Sequence, residues 1–242
     1  SIIFTMEGGR DYIIEKGWDK GQGGPIDLKK VHHINNGIDL EAFEINRDKY
    51  VIEDDDLDDS TTFKLVYTGS IRRANNIDLV LDAAKLEKSP EVRFLIWGNG
   101  DQFDRLNQRV KDENIQNVKL KGRVGKGYIP SIVSRADVNF FVLEDSPLFR
   151  FGLSLNKSFD YLAAGKPMMI VGDAAYSLID KYQCGIHVRE ASPLSLMQAV
   201  DQLAKMDLAK RKIMGRNAIK AAKEYDFKVL TQKLVAVIEG HL

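Results

Sequence analysis

The sequence predicts an α/β fold, a Rossmann-like doubly wound parallel sheet of about six strands. Three observations carry this. Six short segments are apolar nearly throughout instead of alternating, as strands covered on both faces must be. Each gives way to a stretch with apolar residues at helical spacing. The two patterns then alternate in the manner of βαβ units, which makes the strands parallel neighbours. With 242 residues, 44% apolar and 29% charged, the chain can build one such domain with an appendage.

The elements follow in order. Residues 1–17 read as a strand or turn and then a helix, followed by a glycine-rich loop over 17–24. This opening is too short to form a domain alone. The run from Glu53 to Asp59 places six carboxylates in seven residues. It lacks the alternating spacing and closing Glu of a calcium loop, and charges this dense repel one another, so a solvated, mobile loop is expected. Strands are predicted over 64–68, 92–97, 118–121, 138–142, 168–171 and 186–188. Helices are predicted over 77–86, 101–114, 129–136, 157–164 and 176–182, with Ile77, Val80, Leu81 and Ala84 forming one apolar face. After Val188 come three helices with no strand between them, over 193–206, 208–225 and 227–240.

Composition excludes several functions. Lys plus Arg (35) balances Asp plus Glu (35), so the global basic field of a nucleic-acid binder is absent. The lone Cys184 rules out an internal disulfide framework and a Cys-rich zinc site, and it suits a reducing, cytoplasmic compartment. Apolar runs reach five or six residues, against roughly 20 for a membrane span. No Ser-His-Asp order or Gly-x-Ser-x-Gly elbow occurs. His32 and His33 have no obvious co-ligands and read as loop residues. His187 lies within a strand pattern and reads as a packed or hydrogen-bonded histidine, and Cys184 as a small buried thiol. No metal or cofactor is called for.

In open parallel sheets, ligands bind beyond the carboxyl ends of the strands. After the first predicted strand comes Gly69-Ser70-Ile71-Arg72-Arg73, in which glycine admits close approach and two guanidinium groups can clamp a phosphate; a tight turn with solvated arginines is the alternative. After the second comes Gly98-Asn99-Gly100, where Phe103 replaces the third glycine of a dinucleotide fingerprint, so a generic helix-opening turn competes with NAD binding. The densest signal runs from Phe149 to Pro167. Gly152 and Ser154 give a small, hydrogen-bonding approach, and Asn156 suits the N-cap of a helix closed by Gly165 and Pro167. That helix start offers free N–H groups and a positive dipole end to an anion, and Lys157 adds a charge. Asp160, almost one turn on, can take a ribose diol. A well-capped helix with surface charges is the plainer reading.

The stretch Asn156-Lys157-Ser158-Phe159-Asp160-Tyr161-Leu162-Ala163-Ala164-Gly165-Lys166-Pro167 resembles the signature of retaining glycosyltransferases of the two-domain GT-B fold, family four (group 1). It is most similar to bacterial members that build surface polysaccharides. Asn36-Gly37-Ile38-Asp39, Val66-Tyr67-Thr68-Gly69-Ser70, the strand into Gly98-Asn99-Gly100, and Gly122-Arg123-Val124 with Ile129-Pro130 fall in the family's order. The resemblance implies the C-terminal half of a GT-B fold, which holds a nucleoside diphosphate sugar. Residues 1–17 would be a remnant of an N-terminal domain that is otherwise absent. Residues 18–62 would be a linker and acidic loop, 63–226 the sugar-nucleotide domain, and 227–242 a helix crossing back. A saccharide or lipid-linked saccharide would accept the sugar, at the inner membrane face in the longer protein. Gly69 with Arg72 or Arg73, and Lys157 opposite, would contact the diphosphate; Arg123 and Val124 would flank the base; Asp160 would bind the ribose. Gly152 stands where the family often has an acid. Two other readings stay open: a sugar-nucleotide epimerase of the same fold, and a non-catalytic binding module. A lone fragment is expected to be inactive.

Overall fold

The computed structural model describes residues 1–87 and 89–240. Residues 241 and 242, the end of the segment assigned to the crossing helix, lie outside the described residues. Two parallel sheets form. The small one pairs β1 (Ile2–Phe4) with β2 (Val31–His33). The large one contains β3 (Phe63–Thr68), β4 (Val92–Trp97), β5 (Val118–Gly122), β6 (Val138–Val142), β7 (Met168–Val171) and β8 (Gly185–Val188), in the order β5-β4-β3-β6-β7-β8. All six predicted strands are present, three with the predicted limits.

The helices are α1 (Gly9–Glu15), α2 (Leu40–Lys49), α3 (Asp55–Asp58), α4 (Ile77–Ala84), α5 (Phe103–Asp112), α6 (Ile129–Ser134), α7 (Asn156–Ala163), α8 (Leu178–Tyr182), α9 (Pro193–Lys205), α10 (Leu208–Glu224) and α11 (Phe227–Glu239). The chain winds outward through β3, β4 and β5, then crosses back to lay β6 against the other side of β3. α4, α5 and α9 therefore pack together on one face, and α6, α7, α8 and α10 on the other. Between them lie Leu65, Tyr67, Phe94, Trp97, Phe140, Phe141 and Tyr161, all 1% exposed or less. The inner strands β3, β4, β6 and β7 are buried nearly throughout, covered on both faces, whereas the edge strands β5 and β8 are only partly covered.

The region 18–62 is more ordered than a linker. It contributes β2, α2 and α3, with Phe43 of α2 buried in the main core. The acidic run is not a mobile loop. Asp54 caps α3 by accepting from the Leu57 N–H at 3.0 Å, and Leu57 is 2% exposed. Lys121 Nζ reaches Asp54 at 2.9 Å and also pairs with Asp56, while Arg135 pairs with Asp58 at 2.6 Å. Repulsion along the run is offset: Lys121 of β5 and Arg135 just beyond α6 oppose its carboxylates, and its single apolar residue, Leu57, anchors it. His32 and His33 likewise lie in β2, not a loop, and burial lowers the pKa of the His33 imidazole.

Two expectations hold in detail. Cys184 is fully buried, and burial pushes its thiol up to about 12. The His187 ring is fixed between Asp180 Oδ2 at 2.8 Å and the Gly172 carbonyl at 3.0 Å.

Candidate functional site

The sheet order reverses between β3 and β6, and there the two strands part early. They pair only at Leu65–Val138 and Val66–Asn139. The Thr68 N–H, left without a strand partner, donates instead to the buried Tyr161 hydroxyl on α7 at 2.8 Å. That bond fixes α7 to the carboxyl end of β3. An opening at a reversal of strand order is where open α/β sheets hold ligands.

Glycines shape this opening. Gly69 follows β3 at φ +149°, and its N–H donates to the Trp97 carbonyl at 3.0 Å. Gly98 and Gly100 follow β4 and press on the Gly69 turn: a Cβ at Gly98 would lie 1.8 Å from the Gly69 carbonyl oxygen, and one at Gly100 would lie 2.2 Å from that of Ile71. Side chains at 98 and 100 would thus drive the two turns apart. Between them is a hollow of about 650 Å³ lined by Gly69, Gly98, Gly100, Arg123 and Val124, together with Trp97 and Lys126. A second hollow of about 540 Å³ adjoins it, sharing Lys126 and Ile129, and is lined by Asn156 and Asp160.

Lys157 lies at the carboxyl ends of β3 and β6, beside the Gly69 turn, and does not itself line either hollow. Its Nζ donates to the Tyr67 hydroxyl at 3.0 Å and to Asn75 Oδ1 at 2.9 Å, and it would lie 3.3 Å from a Cβ at Gly69. The ammonium is also 4.5 Å from the centre of the Tyr67 ring and 5.8 Å from that of Phe141. Among the described residues no carboxylate pairs with it. Burial lowers its pKa from 10.5 to about 8. Burial likewise raises the Asp160 carboxyl to about 6, against a smaller opposing pull from Lys126. Among the described residues neither group has an ionic partner within 4 Å, so burial of each charge goes uncompensated, which makes the pair candidates for contact with a ligand.

Several assignments from sequence change. Asn156 does not cap α7; Leu155 occupies that position without a side-chain bond, and Asn156 is the first helical residue. The Asn156 Oδ1 accepts from Asn36 Nδ2, which ties the Asn36–Asp39 turn to the site. Arg72 and Arg73 are exposed on the turn after Gly69, and neither lines either hollow. Gly152, at φ +102°, lies beside the Glu7 backbone and the Tyr176 side chain, and neither it nor Ser154 lines the hollows. Sequence reasoning missed Asn75 and Tyr67. The signal for Asn75 was the Asn75-Asn76 pair before a helix, since Asn76 takes the left-handed conformation (φ 43°) that asparagine tolerates.

Comparison with known proteins agrees with this architecture. Residues 51–221, about seven-tenths of the chain, match the family described as glycosyl transferases group 1. WbjE of Pseudomonas aeruginosa, named as a glycosyltransferase, is 24% identical over 147 residues, covering 59% of this chain and 36% of its own length. TuaH of Bacillus subtilis (strain 168), named as a glycosyltransferase of teichuronic acid biosynthesis, is 26% identical over 201 residues, covering 81% and 45%. The chain thus spans less than half of either relative. Anabaena Alr3699/HepE, solved with UDP and also with UDP-glucose, superposes on it. For the UDP complex the TM-score is 0.75 at 16% identity, over 98% of this chain and 63% of that one.

Proposed function

The chain belongs to the glycosyl transferases group 1 family, and on that premise we propose that it is the donor-binding half of a retaining glycosyltransferase. The enzyme would move a sugar from a nucleoside diphosphate to a hydroxyl acceptor in glycan or polysaccharide synthesis. The observation that carries this is Lys157, an ammonium held against the Gly69 turn where strand order reverses, with no carboxylate partner among the described residues. A diphosphate against the Gly69 turn would supply the missing negative charge. The first N–H groups of α7, and Arg72 or Arg73 reaching in from the rim of the same turn, would add to it. Breaking the bond from sugar to phosphate builds charge on the leaving diphosphate, and donors fixed in advance stabilise that charge as it forms. Arg123 and Val124 would flank the base. Asp160, ionised above pH about 6, would accept from the ribose hydroxyls in the adjoining hollow. The HepE complexes with UDP and UDP-glucose support a nucleotide-sugar donor.

Acceptor binding would fall to an N-terminal domain packed on the β1–β2 sheet, where Ile2 and Ile3 are 38% and 41% exposed. Among the described residues no helix is long and apolar enough to cross a membrane. We place the enzyme in the cytoplasm, peripheral to the membrane where its acceptor is lipid-linked. Calorimetric titration of the chain with uridine, guanosine and adenosine diphosphates tests the reading. One should bind, and Lys157→Ala should weaken it at least about tenfold, since a hydrogen-bonded charge contributes about 1.5–3 kcal/mol. Binding of none of the three, or an unchanged dissociation constant in the variant, would overturn it.

A further inference from the structure

The Lys157 ammonium has three N–H groups, and the described residues account for two. Both acceptors are neutral and both are fixed by bonds of their own. The Tyr67 hydroxyl donates to the Ser70 carbonyl at 2.7 Å. Asn75 Nδ2 donates to Ser70 Oγ at 3.1 Å, which leaves Oδ1 for the lysine. The amide can take no other orientation here, because an ammonium offers only donors. The backbone holds Asn75 in place: its N–H donates to the Arg72 carbonyl at 2.9 Å, and Asn76 turns the chain into α4 in a left-handed conformation. Arg72 and Arg73, the cations of this turn, face solvent, and its neutral residue faces the lysine.

Neutrality has a consequence. A carboxylate at position 75 would pair with the ammonium and cancel the charge that an anionic ligand would meet. An amide directs the same group with a dipole and leaves the full charge in place. We infer that Asn75 and Tyr67 are positioning residues for the donor reaction: they hold the Lys157 ammonium against the Gly69 turn by two neutral hydrogen bonds, keeping its charge for the donor's diphosphate. This rests on the donor-site reading above.

Binding of whichever of uridine, guanosine or adenosine diphosphate binds most tightly tests the inference. Asn75→Ala should weaken it about tenfold, the loss expected for one bond to a charged group. In the Lys157→Met background the same change should matter less than about twofold, because its target is gone. Tyr67→Phe should follow the same pattern. Asn75→Asp, which keeps the shape and cannot fail through a cavity, should weaken binding more than Asn75→Ala. It should also move the alkaline fall-off of binding to higher pH, which a merely structural change would not do. A loss from Asn75→Ala that persists in full without Lys157 would overturn the inference, as would wild-type affinity in Asn75→Asp. If Lys157→Met weakens binding while both Asn75 variants bind normally, only the positioning role falls. If Lys157→Met itself binds normally, the donor-site reading falls with it.

Discussion

Lys157→Met isolates the cost of holding an uncompensated ammonium in the fold. Methionine keeps the apolar stem and removes the charge. Burial has brought this lysine from 10.5 down to about 8, so between those values the folded chain binds fewer protons than the unfolded chain. Folding stability therefore rises with pH across that window; below pH 8 the penalty is present in full, and above 10.5 it is gone. At about 1.4 kcal/mol per pH unit the penalty is about 3 kcal/mol. The substitution also deprives the Tyr67 hydroxyl and Asn75 Oδ1 of a donor, worth about 1 kcal/mol each, but that loss does not vary with pH. The diagnostic is thus the difference between mutant and wild type, not the mutant alone. Urea unfolding of both chains at pH 7, 8, 9, 10 and 11 should show the mutant's advantage shrinking by about 2–3 kcal/mol across the series. Parallel stability curves would refute the claim that Lys157 is buried charged and unpaired.

Three further outcomes are expected. Asp160→Asn should raise Tm at pH 7.5 by about 3–6 °C, corresponding to about 1–2 kcal/mol, and leave it unchanged near pH 3, below both pKa values. The wild-type carboxyl, raised from 3.8 to about 6, keeps its proton in the fold while the unfolded chain loses it, so stability falls as pH rises from 3.8 and the penalty is complete above 6; the same variant should bind nucleoside diphosphate less tightly. Gly98→Ala should cost about 2 kcal/mol or more by chemical denaturation, because its Cβ would meet the Gly69 carbonyl oxygen at 1.8 Å. Gly125→Ala, with ordinary contacts to Tyr128 and φ −63°, should be tolerated. Cys184, fully buried with its thiol pushed up to about 12, should resist an aromatic disulfide reagent at pH 8 until the chain is unfolded in urea.

The sequence by itself determined the α/β class, the six strands, their parallel arrangement and the family. These depend on local apolar runs and short motifs, which are legible wherever side-chain period and turn chemistry are local properties. Of the sequence's candidate site residues, Gly69, Gly98, Gly100 and Arg123 line one hollow and Asp160 the adjoining one, because each lies in a strand-end loop or near a helix start. Contacts between distant segments were decided only in three dimensions. Asp54 and Asp56 find Lys121 more than 60 residues away, which turned an expected loop into an anchored helix. Asn75 meets Lys157 across 82 residues, where Arg72 and Arg73 had been the sequence's candidates. Which residues of a turn face inward depends on one left-handed asparagine and on the packing of α7 against β3. Composition carries no trace of either.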